Sequence, residues 1–216
     1  MSKVVGEISA PEVPAATQAK GFVAHRRTFW TMLISSLGSL VASLVLSIDA
    51  IKLAKDPVAA LSCNINAIVS CSKVAVSWQS NLLGFPNAFI GLICEPVVIT
   101  VAIAALGGAI LPRWFMRTAL FVYFCGLVFA LWLFAQSYFV IGAFCPWCIL
   151  VTITTITVFA SMLRVCALEG YLPLSEKVNA TLSRLLVTGW DTVVITGLFS
   201  IIALAILFKY GTSIFK

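Results

Sequence analysis

Long apolar runs set the pattern of this chain, broken by short polar punctuation rather than by regular alternation. Five stretches are each about 20 residues or longer, the length needed to cross the hydrocarbon of a bilayer as an α-helix. They run from Phe29 to Ile51, Phe85 to Leu106, Phe115 to Ile141, Cys145 to Leu168 and Thr188 to Phe208. A transmembrane β-barrel would instead show short segments of alternating polarity. Residues 1–21 are rich in Ala, Pro and polar side chains and predict a disordered cytoplasmic tail, with residues 22–216 as one transmembrane domain. The tail and first apolar run do not form a cleavable signal peptide, because the run is too long and no clean small-x-small site closes it. Connections are short except for residues 52–84.

Composition agrees with the pattern. Hydrophobic residues make up 61% of the chain and charged residues 10%, against about 45–50% and 25% in soluble domains. The formal charge of +6 comes without any basic run, which argues against nucleic acid as a partner. The positive charges are distributed by side instead. With the N-terminus inside, nine of the 14 Lys and Arg residues fall on cytoplasmic segments, including every Arg (Arg26, Arg27, Arg113, Arg117, Arg164 and Arg184). That orientation puts residues 52–84 outside, together with the junction between the third and fourth spans. Cys63, Cys71, Cys145 and Cys148 then share one face, the oxidising one on which disulfides persist. Cys94, Cys125 and Cys166 fall within apolar segments, where a thiol serves as a small hydrophobe.

Cys145-Pro146-Trp147-Cys148 opens the fourth span. Proline is favoured at the first helical position, so Cys145 is expected at the N-cap, where free N–H groups and the helix dipole favour a thiolate. A thiolate is the attacking species in disulfide exchange. The loop pair is Cys63 and Cys71. Continuous helix would hold their Cα atoms about 12 Å apart, too far for a disulfide. If they bond, the chain folds back between them and helix begins only near Cys71. From Cys71 to Trp78 a short amphipathic helix is predicted, with Val74 and Trp78 on one side. The spacing of the two pairs does not suit a structural zinc site, so no metal is expected.

Together these features resemble the vitamin K epoxide reductase (VKOR) family, in particular its bacterial disulfide-forming branch. The matching residues are Cys63-x₇-Cys71, then Ser72, Val74 and Ser77; Gly84-Phe85-Pro86-Asn87 with Gly91; and Cys145-Pro146-Trp147-Cys148. They cover roughly residues 29–168. The resemblance implies an all-α integral membrane protein, with a four-helix bundle around a quinone, a fifth transmembrane helix and an extracytoplasmic loop helix over the pocket. It implies that Cys63 and Cys71 take electrons from a thioredoxin-like thiol oxidase. Cys71 passes them to Cys145, and Cys148 reduces a menaquinone, ubiquinone or vitamin K analogue. Asn87 matches a position that hydrogen-bonds a quinone carbonyl, and Ser77 a polar position of the pocket.

The DsbB type of oxidase also couples two cysteine pairs to a quinone, but its Cys-x-x-Cys comes first, the reverse of the order here. Bacterial relatives often continue past the fifth span into a fused thioredoxin-like domain. This sequence ends at Lys216 shortly after that span, so the redox partner is expected to be a separate protein. Localisation in a bacterial cytoplasmic (inner) membrane follows from the same resemblance. Thr152 stands where animal enzymes carry a tyrosine, which weakens an epoxide-reducing alternative. A further alternative is a non-enzymatic membrane protein whose cysteines staple its loops. Glu95-Pro96 places a carboxyl group about 15 Å into the second span by helix rise, and intramembrane acids are functional candidates.

Overall fold

A membrane offers no water to unpaired backbone groups, so a chain this apolar must satisfy them within helices. The computed structural model describes residues 15–214 except Ala67, and it is helical throughout, without a named strand among those residues. The helices are α1 (Ala15–Lys55), α2 (Cys71–Ala75), α3 (Ala88–Leu106), α4 (Arg113–Gln136), α5 (Pro146–Leu168), α6 (Glu176–Val187) and α7 (Trp190–Ile214). A 3-10 turn, Trp78–Asn81, follows α2, and a π turn, Ser137–Ile141, extends α4. Five segments are long and apolar enough to cross a membrane: His25–Lys55, Ala88–Leu106, Arg113–Ile141, Pro146–Leu168 and Trp190–Lys209. The fold is therefore the all-α, five-span membrane protein that the hydropathy pattern predicts. Residues 15–21, expected in the disordered tail, belong to α1; the rest of that expected tail lies outside the described residues.

α1 packs on α3 and α5, and α5 on α4, which makes a four-helix bundle; α7 lies outside it against α5 and α6. One end of the bundle is filled. Met32, Ala102, Met116, Val158, Met162 and Cys166 are each at most 1% exposed and form the centre of its larger apolar core. At the loop end a second cluster gathers Leu53, Leu61, Cys63, Cys71, Val74, Ala143 and Cys145. Small residues on α1 let the helices approach closely, as is usual where lipid supplies no hydrophobic drive between helices. Ser36, Ser39, Ser43 and Ser47 recur at helical spacing and are all buried.

α6 is the element that the apolar pattern does not announce. It is too short and too mixed in polarity to cross the membrane, and it lies between the fourth and fifth spans. α7 is tied to the bundle at both ends. Arg164 on α5 pairs with Asp191 at the start of α7, and Lys209 near its end donates to the Tyr138 carbonyl beyond α4.

α1 and α3 approach closely at Gly91, where an added Cβ would lie 2.1 Å from Ser43 Oγ and 2.8 Å from Ser43 Cβ. Glycine is needed there for space rather than for backbone conformation. Gly91→Ala is expected to separate α1 from α3 and to cost about 1–3 kcal/mol, as overpacking does. Thermal unfolding of the purified protein in detergent measures this loss, and Ser43→Gly in the same chain should recover part of it.

A cysteine relay at the mouth of an intramembrane cavity

Two asparagines organise the reversal that brings Cys63 back to Cys71. Asn66 Oδ1 accepts from the N–H groups of Ile68 (2.9 Å) and Val69 (2.7 Å), forming a side-chain-closed turn. Asn64 Oδ1 accepts from Ser72 N at 3.1 Å and Ser70 Oγ at 3.2 Å. Ser70 caps α2 by accepting from Lys73 N, so helix starts at Cys71 itself. The two cysteines, with Cα atoms 5.7 Å apart, are joined in a disulfide. The fold-back anticipated from spacing is present, with helix beginning at the second cysteine.

This loop is fastened to the α4–α5 junction by a parallel bridge between Val69 and Phe144. Ser70 N donates to Phe144 O at 3.0 Å, and Phe144 N donates to Ile68 O at 2.7 Å. The junction is shaped for the purpose. The π turn ends at Gly142, whose φ of 67° is left-handed and suits glycine. The following residues run extended into Cys145. Phe144 is buried against Phe134 and Tyr138. Cys145 is the N-cap of α5 with Pro146 at its first position, as expected.

The bridge brings Cys71 Sγ to 3.1 Å from Cys145 Sγ, with both residues at most 2% exposed. Cys145 and Cys148 are not bonded to each other. The Cys145 thiol is shifted below its ordinary value, chiefly because the Cys148 thiol donates to it. The N–H groups of Cys148 and Trp147 add to this, without a regular capping hydrogen bond, while burial and Asp49 oppose it. Cys145 is thus biased toward thiolate beside a disulfide sulfur, the arrangement that exchange requires.

Beneath the cysteines lies a cavity of about 550 Å³, within the range of small-molecule sites. α1, α2, α3, α4 and α5 all contribute to its wall, which is largely apolar. Cys71, Cys145 and Cys148 line its outer part, with Val74, Ser80 and Asn87. Asn87 stands at the N-cap of α3 but makes no side-chain cap. Its Nδ2 donates to Gln79 O at 2.7 Å, and its Oδ1 is buried without a partner. A buried amide with an unused acceptor and a second N–H is suited to a ligand bearing a carbonyl or hydroxyl group. The cavity thus fits a quinone: Asn87 would hold an oxygen of the ring, apolar side chains would enclose it, and Cys148 would face it. A bound quinone supplies a two-electron acceptor.

Two expectations are corrected here. Ser77 does not line the cavity, because its hydroxyl turns back to Val74 O at 2.7 Å at the end of α2. Ser80 occupies the wall instead and also donates to Val74 O, at 2.6 Å. Nor do Val74 and Trp78 share one amphipathic helix. α2 ends at Ala75, leaving Val74 buried, whereas Trp78 is 63% exposed and packs edge-on against Trp132 of α4. Cys94 and Cys125 line the cavity, whereas Cys166 belongs to the filled core. Thr152 Oγ1 donates to Cys148 O at 2.9 Å, one turn along α5. Tyr123 is a cavity residue that motif reading did not single out, because only the tertiary contact distinguishes it from other aromatic residues on α4.

The downward shift of Cys145 has a measurable consequence. A lowered thiol pKa keeps the thiolate present at lower pH, so alkylation of reduced Cys145 should reach half its maximal rate below about pH 8.5, the ordinary thiol value. Cys148→Ala removes the largest cause and should move that midpoint upward. Mass-spectrometric quantification of Cys145 alkylation against pH reads both.

A search of curated proteins finds no match to the chain. The model of the vitamin K epoxide reductase family matches residues 30–163, which contain the cysteine pairs, the residues that line the cavity and most of the four bundle helices. The chain belongs to the vitamin K epoxide reductase family, and is a membrane thiol–quinone oxidoreductase in kind.

Proposed function

We propose that the protein is a quinone-dependent disulfide oxidase that draws electrons from a separate thioredoxin-fold thiol oxidase on the extracytoplasmic side. The approach of Cys71 to Cys145 at the mouth of an apolar cavity carries this reading. A partner dithiol reduces Cys63–Cys71. The Cys71 thiolate then attacks Cys145 of a Cys145–Cys148 disulfide, forming Cys71–Cys145 and releasing Cys148. Cys63 resolves that bond by attacking Cys71, which restores Cys63–Cys71 and leaves Cys145 and Cys148 reduced. The observed arrangement, with the outer pair bonded and the inner pair free, corresponds to the end of that exchange.

The inner dithiol next gives its electrons to a quinone beside Cys148, such as menaquinone, ubiquinone or a vitamin K analogue. The product disulfides are those of exported proteins. A bacterial cytoplasmic membrane with the N-terminus inside gives the cysteines the oxidising face that this requires, and the all-inside distribution of Arg supports that orientation. Asn87 serves the ring oxygen by donating its second N–H to the quinone carbonyl, and its unused Oδ1 accepts from the hydroxyl of the quinol. Burial of Cys71 and Cys145 against each other supports a relay over a passive loop staple, since a staple needs no third sulfur at 3.1 Å.

Purified protein with a reduced thioredoxin-fold protein and a menaquinone analogue tests the reading. Wild type should reduce the quinone and Cys148→Ala should not; turnover that persists without Cys148 rejects this mechanism. Cys63→Ala removes the resolving thiol and is expected to accumulate a Cys71–Cys145 disulfide, detectable by non-reducing peptide mapping. Asn87→Ala should weaken quinone affinity by about tenfold, the scale of one lost hydrogen bond, without altering exchange between the cysteine pairs.

A further inference from the structure

One polar group in the cavity has no part in the thiol exchange. Glu95, on α3 immediately before Pro96, lines the cavity yet is only 4% exposed. Tyr123 of α4, also on the cavity wall, donates its hydroxyl to Glu95 Oε2 at 3.0 Å. Ser39 Oγ of α1, fully buried, sits beside the same carboxyl group. Three helices therefore converge on one acid. No Lys, Arg or His forms an ion pair with it among the described residues. Within hydrocarbon such a group is costly and marks function.

Its position along α3 is informative. Asn87 and Glu95 are eight residues apart, about 12 Å of helix rise, and both line the cavity. Asn87 thus serves the outer end, beside the cysteines, and Glu95 the inner end. A quinone carries carbonyl oxygens on opposite sides of its ring, so a single ligand can address both groups.

Proton balance supplies a reason for the acid. Converting quinone to quinol consumes two electrons and two protons, one proton at each ring oxygen. The cysteines stand at the outer end of the cavity, so a proton that they release is taken up at the outer oxygen, and the inner oxygen, on the Glu95 side, needs a donor of its own. We propose that Glu95 is the proton donor to the inner quinone oxygen, with Tyr123 as the residue that positions it; this rests on the quinone reading above. The Tyr123 hydroxyl stabilises the carboxylate left behind. Water entering as quinol exchanges for quinone returns the proton to Glu95, and the next cycle begins with the acid restored.

The test uses the purified full chain and menadione as the probe, with binding read separately from turnover. Menadione binding is expected to shift a carboxylic-acid carbonyl band in the infrared difference spectrum, and Glu95→Gln should abolish that band. Glu95→Gln should also slow single-turnover menadione reduction by about 100-fold, the usual worth of a general acid. The rate at which a small dithiol reduces Cys63–Cys71 should stay at the wild-type value, which a folding defect would not allow. Glu95→Asp should recover part of the rate. Should Glu95→Gln not fold, Tyr123→Phe decides, since it is expected to move the carboxyl band and slow the same step. Absence of a band shift on binding, or wild-type rates in either variant, overturns the assignment and leaves the function reading standing. A wild-type chain that reduces no quinone with any dithiol overturns both.

Discussion

The chemistry of this protein depends on a pair of backbone hydrogen bonds. Ser70 and Phe144 lie 74 residues apart in sequence, yet Ser70 N–H to Phe144 C=O and Phe144 N–H to Ile68 C=O clamp a surface loop to the start of α5. Ser70 and Phe144 each precede a cysteine of the Cys71–Cys145 contact by one residue, so the clamp sets the separation of the two directly. Backbone groups buried beside an apolar cluster must be paired, which gives the clamp a penalty for opening. The disulfide, the α2 cap and the Asn64 network on one side, and the Gly142 turn on the other, all deliver the chain to this contact.

The bundle below is asymmetric for a related reason. At the end away from the loop, Met, Val and Ala side chains close the space between helices. Toward the loop the helices enclose a cavity, roofed by the cysteine cluster and walled by aliphatic and aromatic side chains. The sulfurs therefore stand where loop meets lipid-depth cavity. Thiols arriving in water and an oxidant dissolved in lipid can meet only at such a boundary. The polar groups on the cavity wall include Asn87 with an unused oxygen, Ser80, and the Glu95–Tyr123 pair. An intramembrane site carries such groups at a cost, so their placement narrows what the cavity can accept.

Much of this architecture is legible in the chain because hydrocarbon imposes strict local rules. Spans need about 20 apolar residues, and Pro146 behind Cys145 marks a helix start without reference to any neighbour. Once Cys63 and Cys71 are bonded, the fold-back between them follows from helix rise and disulfide reach. Local reasoning fails where two local preferences compete. The stretch after Cys71 has helical spacing, but the hydroxyls of Ser77 and Ser80 both reach Val74 O, so α2 stops after five residues. That break turns Ser77 away from the cavity and leaves Trp78 on α4. α6 escapes notice because it is too short and too polar to register as a span, although its residues favour helix. The carboxyl–phenol contact of Glu95 and Tyr123 spans two helices, and nothing in either segment indicates its partner.

The sequence by itself determined the number of membrane-length helices and the helix start that places Cys145 at an N-cap. These are properties of single segments, governed by hydrophobic length, proline geometry and the exposed N–H groups of one helix end. Tertiary structure decided which sulfur faces which, where the cavity opens, and which polar groups look into it. Those outcomes arise from contacts between segments dozens of residues apart, such as the clamp at Phe144 and the approach of Gly91 to Ser43. Close packing of helices is a property of paired surfaces, and one surface does not specify the other.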